Sequence, residues 1–381
     1  MLRVNQDRLI KYFDEIVRID SLPFQEKGVA DYVRAKLLGL GCTVREDDAG
    51  EGLGGNSGNL VAVMEGTGGV SRPTVMLSAH MDRVIPGEGI EPVYEDDTVR
   101  SSGRTILGAD DGAGLAIILE VLTVLSESGV SHGPIEVVLT VAEERGLLGA
   151  KWLDKSQLKA DFGYVLDSVG RPTTVIVQAP SQVTFEARVK GKSAHAGMEP
   201  EKGVDAVKVS AKAIARMSLG RIDHETTANI GVIRGGDATN IVCDEVRMEG
   251  EVRSLSQRKL KDRVKSIKRK LETTADEYGA KVEFVESVEY HTFRVSEEKE
   301  VCQALKRAAD RLGMEIQFTA AGGGSDANLF NFEGIDSIIM GSGYYKPHTT
   351  EEYMRISQVA EAATLLLEVL TEQERNEEAV E

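Results

Sequence analysis

Five side chains of the types that bind metals in proteins each follow a short apolar run of the sequence: His80, Asp110, Glu144, Asp167 and His348. Imidazole nitrogen and carboxylate oxygen are both ligands that zinc accepts, and a catalytic zinc keeps one position open for water. Five such ligands can hold two ions if one carboxylate bridges them. The set therefore predicts a centre that holds two zinc ions and activates water for attack on a carbonyl group.

Two further acidic residues lie close to these ligands in the sequence. If the five ligands are enough to hold both ions, these two residues are free for other roles. Glu143 directly precedes Glu144, and a turn after a strand can aim one glutamate at a metal and its neighbour at a water molecule. We predict that Glu143 is the general base, which later returns the proton to the leaving amine. Asp82 lies two residues after His80, and we expect its carboxylate to accept the second imidazole N–H and fix the tautomer.

The elements that position these residues are short runs rich in branched side chains, at residues 75–77, 135–141, 164–166 and 338–340. Such runs are typical of buried parallel strands. In an open α/β sheet, ligands bind beyond the carboxyl ends of the strands. Residues that are far apart in the sequence therefore converge on one crevice.

Each candidate also has an ordinary explanation when it is taken alone. A histidine two residues before an aspartate is commonly a surface turn, paired glutamates commonly face solvent, and Asp110 and Asp111 would suit the amino end of a helix. The joint occurrence of these residues at the ends of apolar runs favours the metal centre. We interpret His132, His224 and His291, which lie in polar or loop contexts, as surface histidines.

Length and composition indicate a two-domain enzyme that acts on small molecules. The chain has 381 residues, of which 41% are hydrophobic, and its net charge of −17 repels nucleic acid and anionic membranes. No apolar run approaches the roughly 18 residues that span a bilayer, and the amino terminus does not resemble a signal peptide, so we predict a cytoplasmic protein. The three cysteines form no CxxC pair, which leaves nitrogen and oxygen as the metal ligands.

The pattern of elements changes near residue 178. From there, alternating strands and helices follow the order β-α-β-β-α-β, which is that of the ferredoxin-like split unit. We predict that residues 179–295 form an inserted domain. The catalytic domain would then consist of residues 1–178 and 296–381.

Eight ordered segments carry a resemblance to a known family: SAHMDRV, LGADDGAGLA, VAEERGLLGA, YVLDS, GKSAHAGMEPEKGVDA, TNIVCDEVRMEGEVRS, GGGSDANLF and HTTEEY. The chain resembles the M20 family of dinuclear zinc peptidases, most closely its peptidase T (tripeptide aminopeptidase) branch. The resemblance implies an α/β, phosphorylase/hydrolase-like catalytic domain with a mixed, mainly parallel sheet. It also implies an inserted α+β, ferredoxin-like lid and dimerisation domain.

The M42 peptidases use a similar set of ligands but carry their extra domain between the first histidine and the bridging aspartate. Here only about thirty residues separate His80 from Asp110, and the large insertion follows Asp167. The position of the insertion favours M20.

The resemblance also implies how the metals are shared. One ion is bound by His80 and Asp167, the other by Glu144 and His348, and Asp110 bridges both. We therefore expect two zinc ions per subunit, although cobalt or manganese would also bind such a site.

The substrate contacts are implied by the resemblance as well. His195 would reach the active site of a partner subunit in a homodimer and stabilise the oxyanion, while Asn240 and Arg253 would hold the terminal carboxylate of the substrate. Gly324 and Ser325, in a glycine loop, would offer backbone N–H groups to the substrate, or the loop is a simple turn.

The predicted activity is release of the amino-terminal residue from short peptides, tripeptides first. The alternative within the family is an aminoacylase, carboxypeptidase or dipeptidase that acts on N-acyl or dipeptide substrates. A hypothesis of another class is a non-catalytic dimer that binds peptides, which the presence of Glu143 disfavours.

Overall fold

The computed structural model describes residues 2–69 and 72–371. Within these ranges the helices are α1 (Gln6–Val17), α2 (Lys27–Gly39), α3 (Ala49–Leu53), α4 (Ala109–Ser128), α5 (Leu148–Trp152), α6 (Ala206–Ala215), α7 (Gln257–Tyr278), α8 (Glu300–Leu312), α9 (Ala327–Phe332) and α10 (Ile356–Leu370).

The strands of the same residues are β1 (Thr43–Glu46), β2 (Leu60–Met64), β3 (Val75–His80), β4 (Val93–Glu95), β5 (Thr98–Arg100), β6 (Ile135–Thr140), β7 (Phe162–Ser168), β8 (Thr174–Ala179), β9 (Ser181–Lys190), β10 (Gly220–Arg221), β11 (Thr226–Gly235), β12 (Glu245–Ser254), β13 (Lys281–Tyr290), β14 (Phe293–Arg294), β15 (Gln317–Ala320), β16 (Asp336–Gly341), β17 (Tyr344–Tyr345) and β18 (Tyr353–Arg355).

The chain divides into two compact units. Unit 1 consists of Met1–Val177, Arg294–Ala320 and Ser325–Glu381. Unit 2 consists of Gln178–Phe293 together with the short segment Ala321–Gly324. The glycine loop of the sequence therefore belongs to unit 2 up to Gly324, whereas Ser325 belongs to unit 1.

Unit 1 contains a nine-stranded sheet whose central strands are parallel. Its order is β1-β2-β6-β3-β7-β16-β8-β14, and β15 pairs with β8. The neighbours β6, β3, β7 and β16 run parallel, while β1, β2 and β8 pair antiparallel. Strands β3 and β6 are buried along their whole length, as apolar strands covered on both faces must be. The predicted mixed, mainly parallel sheet is confirmed.

Helix α4 forms the core of unit 1 beside this sheet and contacts α1 and α10. Its residues from Ala109 to Leu125 are buried, including the charged Glu120. The Glu120 carboxylate accepts hydrogen bonds from Arg8 Nε at 2.6 Å, from Arg8 Nη2 at 2.9 Å and from the backbone N–H of Asn5 at 2.7 Å. This ion pair links α1 to α4.

Unit 2 is a sheet of five strands in the order β10-β11-β12-β9-β13, with α6 and α7 packed against it. All its pairs are antiparallel, and the side chains of β9 alternate strictly between buried and half-buried. Without the two-residue β10, the strands stand in the order of the ferredoxin-like split unit. This part of the predicted fold is also confirmed.

Three smaller points concern the cysteines, a histidine and membrane-spanning helices. All three cysteines are free thiols. The interpretation of His132 as a surface residue was wrong, because it is only 4% exposed and its Nδ1 lies 2.8 Å from the carbonyl oxygen of Gly133. Among residues 2–69 and 72–371, no helix has the length and apolar character needed to cross a membrane, and a cytoplasmic location stays a prediction.

Candidate metal centre

The carboxyl ends of three parallel strands bring four of the predicted residues together. His80 is the last residue of β3, and Asp167 lies one residue before the end of β7. After β6 the chain passes through Ala142, whose φ is +50°, and turns into a short 3-10 helix that carries Glu143 and Glu144. The left-handed conformation of Ala142 turns the chain sharply enough to place both glutamates at the strand end.

The other two ligands reach the centre from outside the sheet. Asp110 lies at the start of α4, after Gly108, so the expectation that every ligand follows a strand of the sheet was wrong for Asp110. Its φ and ψ of −88° and 102° are not helical. His348 follows β17 in a loop, with a φ of +60°. Both ligands therefore depend on local backbone conformations that interrupt or follow regular elements.

The ligand atoms form two groups that share Asp110. In the first, His80 Nε2 lies 3.2 Å from Asp110 Oδ1 and 4.0 Å from Asp167 Oδ1. In the second, His348 Nε2 lies 2.9 Å from Glu144 Oε1 and 3.3 Å from Asp110 Oδ2. Asp110 thus offers a different oxygen to each group, which is the arrangement that a bridging carboxylate needs.

These separations fit two metal ions. Ligand atoms at about 2.0–2.1 Å from a tetrahedral zinc stand roughly 3.4 Å from one another, close to the observed spacing. The charge of the site also fits a metal. Hydrogen bonds from His348 to the carboxylates of Asp110 and Glu144 raise the pKa of this histidine to about 10, because these carboxylates stabilise a positive charge beside them. The residues that could hold a metal therefore satisfy both geometry and charge.

Exposure differs across the centre and marks its open side. The side chain of His80 is 2% exposed and that of Asp110 is 11% exposed, whereas that of His348 is 51% exposed. Within unit 1, solvent and small molecules therefore reach the centre from the side of His348.

Glu143 lies at the border of the two groups. Donor atoms of His80, Glu143 and Glu144 fall within 4.8 Å of one another, so Glu143 is close enough to act on a water molecule there and also close enough to be a ligand. Burial raises the pKa of Glu143 well above its usual range. The charge of His80 lowers this pKa, and the charge of the Asp167 carboxylate raises it.

Asp82 supports the centre through different atoms from those expected. The nearest acceptor to His80 Nδ1 is the backbone carbonyl of Asp82, at 2.9 Å, while the carboxylate oxygen is 3.6 Å away. The carboxylate instead accepts the N–H groups of Glu143 and Glu144, at 2.9 and 3.1 Å. The expectation that the Asp82 carboxylate fixes the imidazole of His80 was therefore wrong, because the backbone carbonyl of Asp82 takes that position. Asp82 holds the turn that carries both glutamates.

Sequence reasoning missed a tyrosine at the centre. Tyr344 is 2% exposed, and its hydroxyl lies 3.2 Å from Asp110 Oδ1 and 3.3 Å from Asp167 Oδ1. It can orient either carboxylate of the first group by donating its proton. The available signal was a tyrosine four residues after the apolar run 338–340 and four residues before His348.

Two of the predicted substrate contacts are neighbours in unit 2. His195 and Asn240 are both exposed, and the N–H of Ala196 donates to the carbonyl of Asn240 at 2.9 Å. The Nδ1 atom of His195 accepts the N–H groups of Gly197 and Met198, at 3.2 and 3.1 Å. The proton of a neutral His195 ring must therefore reside on Nε2, which makes that atom a hydrogen-bond donor.

The groups proposed to bind substrate in the rest of unit 2 already have partners. Arg253 pairs with Glu251 through two hydrogen bonds, at 2.9 and 3.0 Å. The N–H of Gly324 donates to the hydroxyl of Tyr290 at 3.1 Å. In unit 1, the N–H of Ser325 donates to the side chain of Asn328 at 3.1 Å. A substrate that uses these groups must displace or share these bonds, and their binding roles stay predictions.

Comparisons with known proteins identify close relatives of the chain. Residues 180–279, which lie within unit 2, match the family model of the M20 peptidase dimerisation domain. The chain is 42% identical to the "Uncharacterized protein YqjE" of Bacillus subtilis (strain 168) over 97% of its own length and 99% of the relative's.

Two solved structures resemble the chain along nearly its whole length. The aminopeptidase PepT from Bacillus cereus ATCC 10987 is 42% identical, with a TM-score of 0.90 over 97% of this chain and 99% of that one. A tripeptidase from Staphylococcus aureus subsp. aureus Mu50 is also 42% identical, with a TM-score of 0.93 over 97% and 98% of the two chains. At this identity the similarity extends beyond the fold to the family.

Proposed function

The chain belongs to the M20 family of metallopeptidases, and we propose that it is a tripeptide aminopeptidase with a dinuclear zinc centre. The shared bridging position of Asp110, between two groups of ligand atoms, is the observation that carries the metal assignment. The similarity to an aminopeptidase and a tripeptidase, each at 42% identity, supports the choice of substrate.

The proposed ligands of the first zinc are His80 and Asp167, and those of the second are Glu144 and His348, with Asp110 shared. When bound, two zinc ions at these positions would lower the pKa of a water molecule and polarise the carbonyl of the scissile peptide bond. The remaining chemistry falls to side chains of the protein.

Glu143 is the proposed general base. Its carboxylate takes a proton from the attacking water and then gives this proton to the nitrogen of the leaving peptide, so that the carboxylate is regenerated in each cycle. Its position favours this role, because a carboxylate oxygen of Glu143 lies within 4.8 Å of ligand atoms of His80 and Glu144. Asp82 positions the base by accepting the N–H of Glu143.

Unit 2 is the proposed source of substrate contacts and of the dimer. Its match to the M20 dimerisation domain supports a homodimer formed through this unit. His195 can donate from Nε2 to the oxyanion that forms at the scissile carbonyl, and we propose that it does so in the partner subunit's active site. Asn240, Arg253, Gly324 and Ser325 are the further proposed contacts to the peptide.

Hydrolysis of a free tripeptide, compared with hydrolysis of the same peptide after N-acetylation, tests the proposal. The purified protein is loaded with zinc, and release of the first and of the last residue is followed separately. We expect release of the first residue from the free peptide only. Protein stripped of metal by a chelator is the matched control and should release neither residue.

Other outcomes would change the assignment in defined ways. Cleavage of the acetylated peptide alone would indicate an aminoacylase or carboxypeptidase instead. If neither peptide is cleaved while two zinc ions are bound, the tripeptide assignment is wrong. Cobalt and manganese can replace zinc in the same assay, because a nitrogen and oxygen site accepts all three metals.

A further inference from the structure

Glu352 is a buried carboxylic acid beside the metal centre and is neither a proposed ligand nor the proposed base. It lies four residues after His348 and is 1% exposed. Its Oε2 accepts the N–H groups of Leu107 and Gly108, at 2.7 and 2.9 Å. Its Oε1 accepts the N–H of Asp110 at 3.0 Å. One side chain thus receives three backbone N–H groups from the segment that leads into the bridging aspartate.

The backbone of Glu352 is fixed as firmly as its side chain. The N–H of Glu352 donates to the carbonyl of Thr349, and its own carbonyl accepts the N–H of Ser101, each at 3.1 Å. The carboxylate therefore extends from a loop whose backbone is itself held by hydrogen bonds. Both of its oxygens are engaged by backbone N–H groups, so it supports the centre without being a ligand.

The two ligands that this residue connects are those that the main sheet does not position. Asp110 has non-helical backbone angles at the start of α4, and His348 is in the left-handed region in a loop. The segment before Asp110 also passes through Gly108, whose φ is +72°. Such conformations persist when surrounding contacts over-determine them. Glu352 supplies three such contacts at once.

We propose that Glu352 is a positioning residue of the dinuclear centre, which fixes the bridging carboxylate of Asp110 relative to His348 and thereby sets the affinity for metal. The inference rests on the metal centre of the proposed function. Hydrogen-bond partners that orient metal ligands typically contribute about 10-fold to 100-fold in metal affinity. We expect an effect of that size here.

The test is a zinc titration of metal-stripped protein in the presence of a competing chelator, with Glu352→Gln as the variant. Glutamine has nearly the same shape but keeps only one acceptor oxygen, so its amide nitrogen must face an N–H group. We expect the affinity for at least one of the two zinc ions to fall about 10-fold to 100-fold.

Glu351→Gln is the matched control. Glu351 is the neighbouring residue, its side chain is 71% exposed, and it pairs with Lys346. The same change of charge one residue away should leave both zinc affinities within about twofold of the parent, because an exposed ion pair contributes little. Glu352→Asp is a second variant, which keeps the charge but withdraws the oxygens, and we expect a smaller loss of affinity from it.

Thermal unfolding separates positioning from a general structural role. A merely structural Glu352 would lower the melting temperature of metal-stripped and zinc-loaded protein equally. The proposal instead expects the increase caused by a fixed zinc concentration to be smaller in Glu352→Gln than in the parent. At saturating zinc, we expect kcat for a tripeptide to fall while KM changes little.

The outcomes distinguish this inference from the proposed function. Parental zinc affinity in Glu352→Gln, in protein that is folded by circular dichroism, would overturn the inference alone. Fewer than two zinc ions in the parent would overturn the centre and the inference together. Two zinc ions in the parent with no tripeptide hydrolysis would overturn the peptidase assignment, and the expected loss of zinc affinity would still support the role of Glu352.

Discussion

The adjacent glutamates of the turn after β6 provide the sharpest test of the mechanism. Glu143 and Glu144 both have carboxylate atoms within 4.8 Å of His80, so proximity alone does not separate a base from a ligand. The second group of ligand atoms does separate them, because Glu144 Oε1 lies 2.9 Å from His348 Nε2. We therefore expect Glu143→Gln and Glu144→Gln to differ in kind.

In Glu143→Gln the amide keeps the shape of the side chain but cannot accept a proton at neutral pH. The turn itself should persist, because Asp82 accepts the N–H groups of residues 143 and 144 regardless of the side chain at either position. Loss of a general base typically lowers the rate about 10²-fold to 10⁴-fold. This corresponds to roughly 3–5 kcal/mol of transition-state stabilisation at 1.36 kcal/mol per factor of ten.

The assay pairs tripeptide hydrolysis with metal analysis of the same sample after gel filtration. Glu143→Gln should retain two zinc ions per subunit and lose turnover. Glu144→Gln should retain fewer than two, because it removes an oxygen from the group that contains His348. Parental turnover in Glu143→Gln would refute its role as base, and loss of zinc from this variant to the extent seen in Glu144→Gln would make Glu143 a ligand instead.

Three further changes test the stability of unit 1 and the glycine loop. Arg8→Ala leaves Glu120 buried and without its cation, which should cost about 3–5 kcal/mol of unfolding free energy in urea denaturation; a loss below about 1 kcal/mol would contradict this. Burial raises the pKa of Glu26 to about 7, so native Glu26 keeps its proton at a pH where the unfolded chain loses it. The free energy of unfolding should therefore fall from about pH 5 to pH 7. Glu26→Gln should flatten this pH dependence, and an unchanged slope in the variant would contradict the role of Glu26. A Cβ at Gly324 would overlap the ring of Tyr290, so Gly324→Ala should shift the loop and raise KM for a tripeptide. A parental KM would exclude the loop from substrate binding.

The sequence could predict which candidate ligands the buried strands bring together. Apolar runs identify β3, β6 and β7, and the parallel order of these strands makes their carboxyl ends meet, which brings His80, Glu144 and Asp167 together. Asp110 joins both groups of ligand atoms although it starts a helix and does not follow a strand of the sheet. His348 lies in a loop and itself has a left-handed backbone conformation, and no periodicity of the sequence predicts such a position.

The sequence could not predict which atom of a residue makes a contact. Asp82 was expected to use its carboxylate on His80, but its carbonyl lies there and its carboxylate holds the turn at Glu143. The N–H of Gly324 was expected to be available to substrate, but the hydroxyl of Tyr290 accepts it. Both outcomes depend on the direction of the backbone within loops, which the sequence pattern does not specify.

Acidic residues around the centre divide into two kinds that look alike in the sequence. Asp110, Glu144 and Asp167 direct carboxylate oxygens towards the shared ligand groups. A second set of carboxylates, each at most 1% exposed, accepts backbone N–H groups of the segments that carry the centre: Glu26, Asp82, Asp111 and Glu352.

The second set explains how a centre with so much negative charge stays ordered. Backbone N–H groups stabilise a buried carboxylate, and each carboxylate in return fixes a loop that would otherwise have unpaired N–H groups. The ligand loops are thus held by buried carboxyl groups that accept their backbone N–H groups. Metal affinity should therefore depend on these residues even though they do not touch the metal, and Glu352, which holds the segment of the bridging ligand, should show this dependence most strongly.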